Sequence, residues 1–239
     1  MSHPRFVLVA AACVVFVTTA SATASTAGTV GSNCYESPGV LKPGVYTTRC
    51  FLPGMRIRLP GGWQAVQDST TEFKLTPPHS TDPDTPALRF WVDPHASTPC
   101  TDKALPVDIS TPTKVVDWLR RDRNVVVSTP SRTTIGRGLK ALRVDLDTSA
   151  RAPRCSSACP GPCVDYFLFR APGVPTEPYG TGRGELVQLY FAHIAPPGHL
   201  LVFAVDTPNA RTFRKLTASA RSLLATVRMP AKLPPRRGR

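Results

Sequence analysis

Three closely spaced cysteines could bind a metal ion or form disulfide bonds. Cys155, Cys159 and Cys163 recur every four residues, and in a helix this spacing would place the three thiols on one face. Pro160 and Pro162 interrupt such a helix, and no histidine lies nearby in the sequence to complete a zinc site. Disulfide bonds therefore explain the cluster better than a metal centre or a free or intermolecular thiol, and we expect neither a metal nor another cofactor.

Six of the seven cysteines lie after residue 24. In an exported protein, this even number predicts three disulfide bonds. Cys34 and Cys50 flank a turn-rich segment, and this favours a local bridge between them. Cys100 would then bond one member of the cluster, and the other two members would bond each other. The six residues assigned to disulfides are Cys34, Cys50, Cys100, Cys155, Cys159 and Cys163.

The N-terminus has the order of a secretory signal peptide. Residues 1–5 carry one arginine, residues 6–19 are apolar, and small residues at 20, 22 and 24 fit the cleavage rule. We expect a signal peptide at 1–24 and a secreted or extracellular protein, with or without association to the cell envelope. Retention as an N-terminal anchor is the alternative, whereas lipidation at Cys13 is disfavoured because the residues before it are small. No later segment reaches membrane-spanning length.

The chain is strongly basic, with a formal net charge of +13. This charge predicts weak attraction to anionic surfaces such as lipid headgroups or wall polymers. Nucleic acid is not expected as a partner of a secreted chain, and the extracellular or envelope partner is unknown.

Hydrophobic periodicity predicts an α+β fold. Alternating residues indicate strands at 55–59 and 142–147, and further short strands are expected at 87–93, 125–128 and 164–169. Two β-rich runs joined by a four-residue loop predict a hairpin of 186–194 with 199–206. Thr111 and Pro112 begin a helix that reaches about Arg121 and is expected to bury Val115, Trp118 and Leu119. A second amphipathic helix is expected over 209–227. The expected architecture is an antiparallel β-sheet covered by two or three helices.

We expect four regions along the chain. They are the signal peptide at 1–24, a flexible segment at 25–39, a single α+β domain at 40–229 and a disordered basic tail at 230–239.

Short motifs give a family resemblance. Residues 43–53 (PGVYTTRCFLP) and 57–63 (IRLPGGW) resemble a group of exported actinobacterial proteins of unknown function with a PGxYTT…PxGW motif. Gly136-Arg137-Gly138-Leu139 and the ending Leu-Leu-x-x-Val at 223–227 are also similar to that group. More distantly, residues 40–229 resemble PsbP/Mog1-type sandwich domains. That superfamily consists mostly of accessory and binding proteins, so the resemblance implies no catalytic residues.

Enzymatic signatures are weak. The zinc-protease motif HExxH and the G-x-S-x-G turn of serine hydrolases are absent. Residues 180–184 (GTGRG) lack the Lys-Ser/Thr of a phosphate-binding loop and are expected to form a flexible loop, and Gly136-Arg137-Gly138 is expected to form a turn. His79 and His95 stand in loop contexts, while His193 and His199 flank the hairpin loop and are expected to lie close together. The function expected is a secreted, non-enzymatic binding or accessory domain of unknown ligand, acting at or outside the cell envelope. The alternative is a secreted hydrolase with a loop-assembled site around His193 and His199.

Overall fold

A computed structural model describes residues 39–80, 86–101, 103–154, 161–169, 177–194, 198–230 and 233. The described residues belong to one compact unit, Asn33–Arg239. The strands are β1 (Gly39–Val40), β2 (Gly44–Thr47), β3 (Arg56–Leu59), β4 (Gln64–Asp68), β5 (Glu72–Thr76), β6 (Ala87–Val92), β7 (His95–Ala96), β8 (Val125–Val127), β9 (Ser131–Ile135), β10 (Leu139–Thr148), β11 (Cys163–Phe169), β12 (Glu177–Gly182), β13 (Leu186–Ile194) and β14 (His199–Thr207). The helices are α1 (Pro112–Arg121) and α2 (Ala210–Leu224).

In the part of the chain that the structure describes, a nine-stranded antiparallel sheet forms the middle layer. Its strand order is β1-β4-β5-β6-β14-β13-β10-β8, and β9 also pairs with β10. The predicted hairpin lies at the centre of this sheet, with paired residues running from Ile194 and His199 to Leu186 and Thr207. The strand pairs of the described residues are antiparallel, which together with the two helices confirms the α+β prediction.

The two helices cover opposite faces of the central sheet. Successive residues of a strand point to opposite faces, and along β14 they join two separate hydrophobic clusters. Phe203 packs in the cluster that contains α2 and the β2–β3 hairpin, which we call the α2 side. Ala204 packs in the cluster that contains α1, β11 and β12, which we call the α1 side. The fold is therefore a three-layer sandwich.

Helix α1 begins where the sequence predicts. The Thr111 side chain accepts a hydrogen bond from the backbone N–H of Lys114, and Pro112 occupies the first turn. Val115 and Leu119 are buried as expected, whereas Trp118 is only partly buried.

Helix α2 ends earlier than predicted. Its Asn209 cap accepts hydrogen bonds from the N–H groups of Arg211 and Thr212, and its last residue is Leu224 rather than Val227. The chain leaves the helix there because residue 228 pairs with Arg56 of β3, with two backbone hydrogen bonds of 2.8 Å. Pairing with a strand and continuation of the helix exclude each other.

A three-stranded sheet of β12, β11 and β7 covers part of the α1 side. Residues 180–184, expected to form a flexible loop, instead supply the end of β12 and the turn after it. The close approach of two backbones explains this difference, because a Cβ atom on Gly180 would lie 2.0 Å from the carbonyl oxygen of Val164. Glycine at this position lets β12 pair tightly with β11.

Most of the predicted terminal regions lie outside the described residues. In the expected basic tail, the structure describes Pro230 and Leu233, and Leu233 packs partly buried against the α2-side core. Neither described helix has the length and apolar character needed to cross a bilayer.

Candidate anion-binding site

The net positive charge is confined to the two ends of the sequence. Residues 68–206 contain 15 Asp or Glu and 15 Lys or Arg, so they contribute no net charge. The whole excess of +13 belongs to residues 1–67 and 207–239. Residues 37–67 and 207–239 contain no Asp or Glu at all. The uneven distribution of charge can be read from the order of the residues, but the overall composition does not reveal it.

The fold brings these two cationic segments together on the α2 side. Strand β3 contacts the chain that follows α2, where Arg56 and Arg228 exchange backbone hydrogen bonds of 2.8 Å. The backbone N–H of Arg58 donates to the Thr226 hydroxyl at 2.9 Å. That hydroxyl in turn donates to the carbonyl of Leu223 at 2.7 Å. Residues far apart in sequence thereby form one continuous wall.

Four arginines surround a surface cavity of about 320 Å³ beside this wall. We call this cavity the arginine pocket. Its arginine side chains belong to exposed residues, and no carboxylate is among the described residues that line it. The lining residues are Val45, Arg56, Ile57, Arg58, Arg137, Ala225, Thr226 and Arg228.

A glycine-flanked turn supplies Arg137 to the pocket. Gly136 and Gly138 both adopt positive φ angles, 56° and 94°, which favour glycine. The N–H of Gly136 donates to the carbonyl of Leu224 at 2.8 Å and so fastens the turn to the end of α2. The sequence predicted a turn at Gly136–Gly138, but it did not predict that the turn would deliver a side chain to a shared cavity.

The chemistry of the arginine pocket is that of anion binding. A guanidinium group is always charged near neutral pH and can donate two parallel hydrogen bonds to a phosphate, sulfate or carboxylate. None of the four arginines forms an ion pair with a described carboxylate. The lining residues that the structure describes include no histidine, cysteine or acidic side chain, so this part of the pocket offers cationic recognition without a group suited to proton transfer.

A second group of charged residues is buried on the α1 side. The Arg89 guanidinium lies 3.0 Å from Glu72 Oε1 and 3.4 Å from Asp206 Oδ2, and it covers the ring of Tyr179. Burial raises the pKa of Asp206 to about 6, against the opposing effect of Arg89. Burial also raises the pKa values of the Tyr166 and Tyr179 phenols. These side chains do not line the arginine pocket, and we assign them a structural role in seating β12 on the sheet.

The histidines at the hairpin do not form a pair. His199 is buried and pairs in register with Ile194, whereas His193 is exposed and pairs with Leu200. Paired residues point to the same face, and Ile194 and Leu200 belong to opposite clusters. The expectation that His193 and His199 lie together is therefore wrong, because alternation along the strands separates them.

His199 instead contacts an aspartate from another strand end. Its Nδ1 atom lies 2.6 Å from Asp93 Oδ2, and Asp93 Oδ1 accepts the backbone N–H of Leu200 at 2.9 Å. His79 is exposed and His95 is half-buried. Among the described residues, no three His, Cys, Asp or Glu side chains converge as a metal site requires.

Three of the six predicted disulfide cysteines lie in the described part of the chain. Cys50 and Cys100 are half-buried, and Cys163 is buried at the start of β11. Cys34, Cys155 and Cys159 lie outside the described residues. The pairing of the six cysteines stays a prediction.

Comparisons with known proteins leave the chain unassigned to a family. No family model matches the sequence, and no curated protein matches it significantly.

Proposed function

We propose that the protein is a secreted, non-enzymatic binding or accessory domain that acts at or outside the cell envelope and binds an anionic ligand in the arginine pocket. The observation that carries the proposal is a cavity lined by four arginines and by no described carboxylate. Like charges gathered around one cavity repel each other, and an anion in the cavity removes that repulsion. The signal-peptide pattern at 1–24 supports the extracellular location.

We also propose that the chain is related to the group of exported proteins with a PGxYTT…PxGW motif. The segments that carry it (43–53, 57–63, 136–139 and 223–227) supply six of the eight pocket residues, and the other two are Arg56 and Arg228. A motif that encloses a cavity fits a family of binding proteins. A PsbP/Mog1-like sandwich is the fold relationship that we propose with it.

Disulfide bonds are also part of the proposal. We place one bridge between Cys34 and Cys50, and a second between Cys100 and one member of the 155/159/163 cluster, whose other two members bond each other. The first bridge would fasten the loop between β2 and β3, and so the hairpin that carries Arg56 and Arg58. By lowering the entropy of the unfolded chain, this bridge would stabilise the folded state and with it the hairpin that lines the pocket.

Binding of inorganic triphosphate to the mature chain tests the pocket. Calorimetry at low salt should show binding that weakens about tenfold or more in Arg58→Ala/Arg137→Ala, since each lost charge-assisted hydrogen bond costs about 1.5–3 kcal/mol. The matched control is Arg120→Ala/Arg121→Ala, which removes two exposed arginines at the end of α1 on the opposite face. Equal weakening in both variants would mean that only net charge matters, and the pocket would then have no special role.

The alternative function, a secreted hydrolase, has less support. His199 and Asp93 resemble the base and orienting acid of a triad, with 2.6 Å between His199 Nδ1 and Asp93 Oδ2. The second histidine of the alternative site, His193, lies on the other face of the sheet. Hydrolysis of p-nitrophenyl acetate that disappears in His199→Gln, while the thermal unfolding midpoint stays unchanged, would revive this alternative.

A further inference from the structure

Positive charge continues beyond the arginine pocket along helix α2. The outer surface of the helix carries four exposed cations, and the helix contains no Asp or Glu. None of the four forms an ion pair with a described residue. We call these residues the α2 stripe: Arg211, Arg214, Lys215 and Arg221.

The stripe leads directly into the pocket. Arg221 precedes Ala225 by about one helical turn and Arg214 precedes it by about three turns, so the three residues lie in one line. Ala225 caps the helix and lines the arginine pocket. At about 1.5 Å per residue, the line from Arg214 to the pocket is about 16 Å long. Pocket and stripe therefore form a single cationic track.

We propose that the ligand is a linear polyanion, with one anionic group in the arginine pocket and later groups of the same chain along the α2 stripe. This inference rests on the proposed function. A single small anion would fill the pocket and leave the stripe uncovered. A chain with repeating charges complements both, and each further contact releases bound counterions.

A membrane surface fits the same charges less well. An interfacial helix inserts an apolar face into the lipid, but the apolar face of α2 (Leu216, Ala220 and Leu223) is already buried against the sheet. The exposed neutral residues of the helix, such as Ala218 and Ser222, are small, and Phe213 is half-buried, so the helix presents no fully exposed apolar wedge for insertion. A flexible polymer can follow a pocket and a convex helix, whereas a flat bilayer cannot enter the pocket.

Chain-length dependence separates the two parts of the track. The probes are inorganic triphosphate and a linear polyphosphate several times longer, each titrated into the mature protein over a range of sodium chloride concentrations. The long chain should bind about tenfold more tightly per chain, with a steeper fall of log K against log salt. Arg214→Ala/Arg221→Ala should remove most of this gain and leave triphosphate affinity within about twofold. Alanine preserves the helix, so the variant should stay folded.

The outcomes distinguish this inference from the proposed function. If the stripe variant binds the long chain as tightly as the wild type while Arg58→Ala/Arg137→Ala loses both probes, the ligand is a discrete anion and the polymer inference fails alone. If the pocket variant loses neither probe, the proposed function fails as well. Tighter binding to anionic phospholipid vesicles than to polyphosphate, at equal phosphate concentration, would overturn the inference of a linear polyanion and indicate a membrane surface as the ligand.

Discussion

Gly136 and Val227 approach each other so closely that no side chain fits between them. A Cβ atom on Gly136 would lie 2.0 Å from the carbonyl oxygen of Val227, and the φ angle of Gly136 is positive at 56°. The contact holds the turn that carries Arg137 against the segment that carries Thr226 and Arg228. One glycine thus connects the backbone geometry of the fold to the shape of the arginine pocket.

Gly136→Ala should destabilise the protein and distort the pocket. The left-handed conformation costs an alanine about 1–2 kcal/mol, and the clash with a backbone oxygen adds to this because neither backbone can move cheaply. We expect urea unfolding to show a loss of about 2–4 kcal/mol. Gly138→Ala is the matched control, since its φ is 94° but no described residue lies within 4 Å of the added Cβ. It should lose only about 1–2 kcal/mol. Equal losses in the two variants would contradict the steric argument.

Asp68→Asn should loosen the loop between β2 and β3. The Asp68 carboxylate accepts hydrogen bonds from the backbone N–H groups of Arg49, Cys50 and Phe51, at 2.8 to 3.2 Å, and from the Tyr46 hydroxyl at 3.1 Å. An asparagine amide keeps one acceptor oxygen and turns a donor toward the remaining N–H groups. Thermal and urea unfolding should show a loss of about 2–4 kcal/mol.

The control for this change is Asp117→Asn, which removes the same charge from the exposed surface of α1. It should alter stability by no more than about 0.5 kcal/mol. Burial, followed by the Asp68 charge, raises the pKa of Tyr46. Spectroscopic titration of Asp68→Asn should therefore show this phenol ionising at lower pH than in the wild type. An unchanged tyrosine titration together with unchanged stability would rule out the role of Asp68.

Asp206 should make the protein less stable as pH rises from about 4 to about 6. Its pKa is about 6 in the folded state and 3.8 ordinarily, so the folded protein binds this proton more tightly than the unfolded chain. The stabilising contribution is complete below the ordinary value and is lost as pH rises through the folded value. Its size is on the order of 2–3 kcal/mol.

Asp206→Asn removes this titration while Glu72 continues to pair with Arg89. The difference in thermal unfolding midpoint between variant and wild type should therefore shift in favour of the variant between pH 4 and pH 7. Asp147→Asn, on the partly exposed β10, gives a control with the same charge change. The linkage argument fails if the difference between Asp206→Asn and wild type is the same at both pH values.

Local signals in the sequence predicted α1 and the central hairpin well. Thr111 and Pro112 determine where α1 begins through contacts within one turn, and two β-rich runs joined by a short Pro-Gly loop identified β13 and β14. The pocket could not be predicted in this way, because Arg58, Arg137 and Arg228 belong to separate elements that only tertiary packing brings together. The separation of His193 from His199, by contrast, follows from strand alternation and was predictable.

Asp68 and α2 show two further limits of sequence reasoning. The hydrogen-bond partners of Asp68 lie 17 to 22 residues away and have no periodic relation to it. The apolar pattern of α2 continues to Val227, yet competition from β3 ends the helix at Leu224. Periodicity predicts which residues are buried, and Val227 is indeed buried. It does not predict whether the backbone of a buried segment forms hydrogen bonds within a helix or with a neighbouring strand.

The proposed bridge between Cys34 and Cys50 can be tested by a double-mutant cycle. Closing a loop of about 15 residues should stabilise the folded protein by about 3 kcal/mol, so Cys34→Ser and Cys50→Ser should each lower the free energy of unfolding by about that amount. Because both variants break the same bond, the double variant should lose little more than either single variant. Cys100→Ser combined with Cys50→Ser is the control and should give nearly additive losses, since the proposal places these residues in different bridges. Additive losses for Cys34 and Cys50, measured by urea unfolding of oxidised protein, would show that Cys50 has another partner and that the β2–β3 loop is fastened elsewhere.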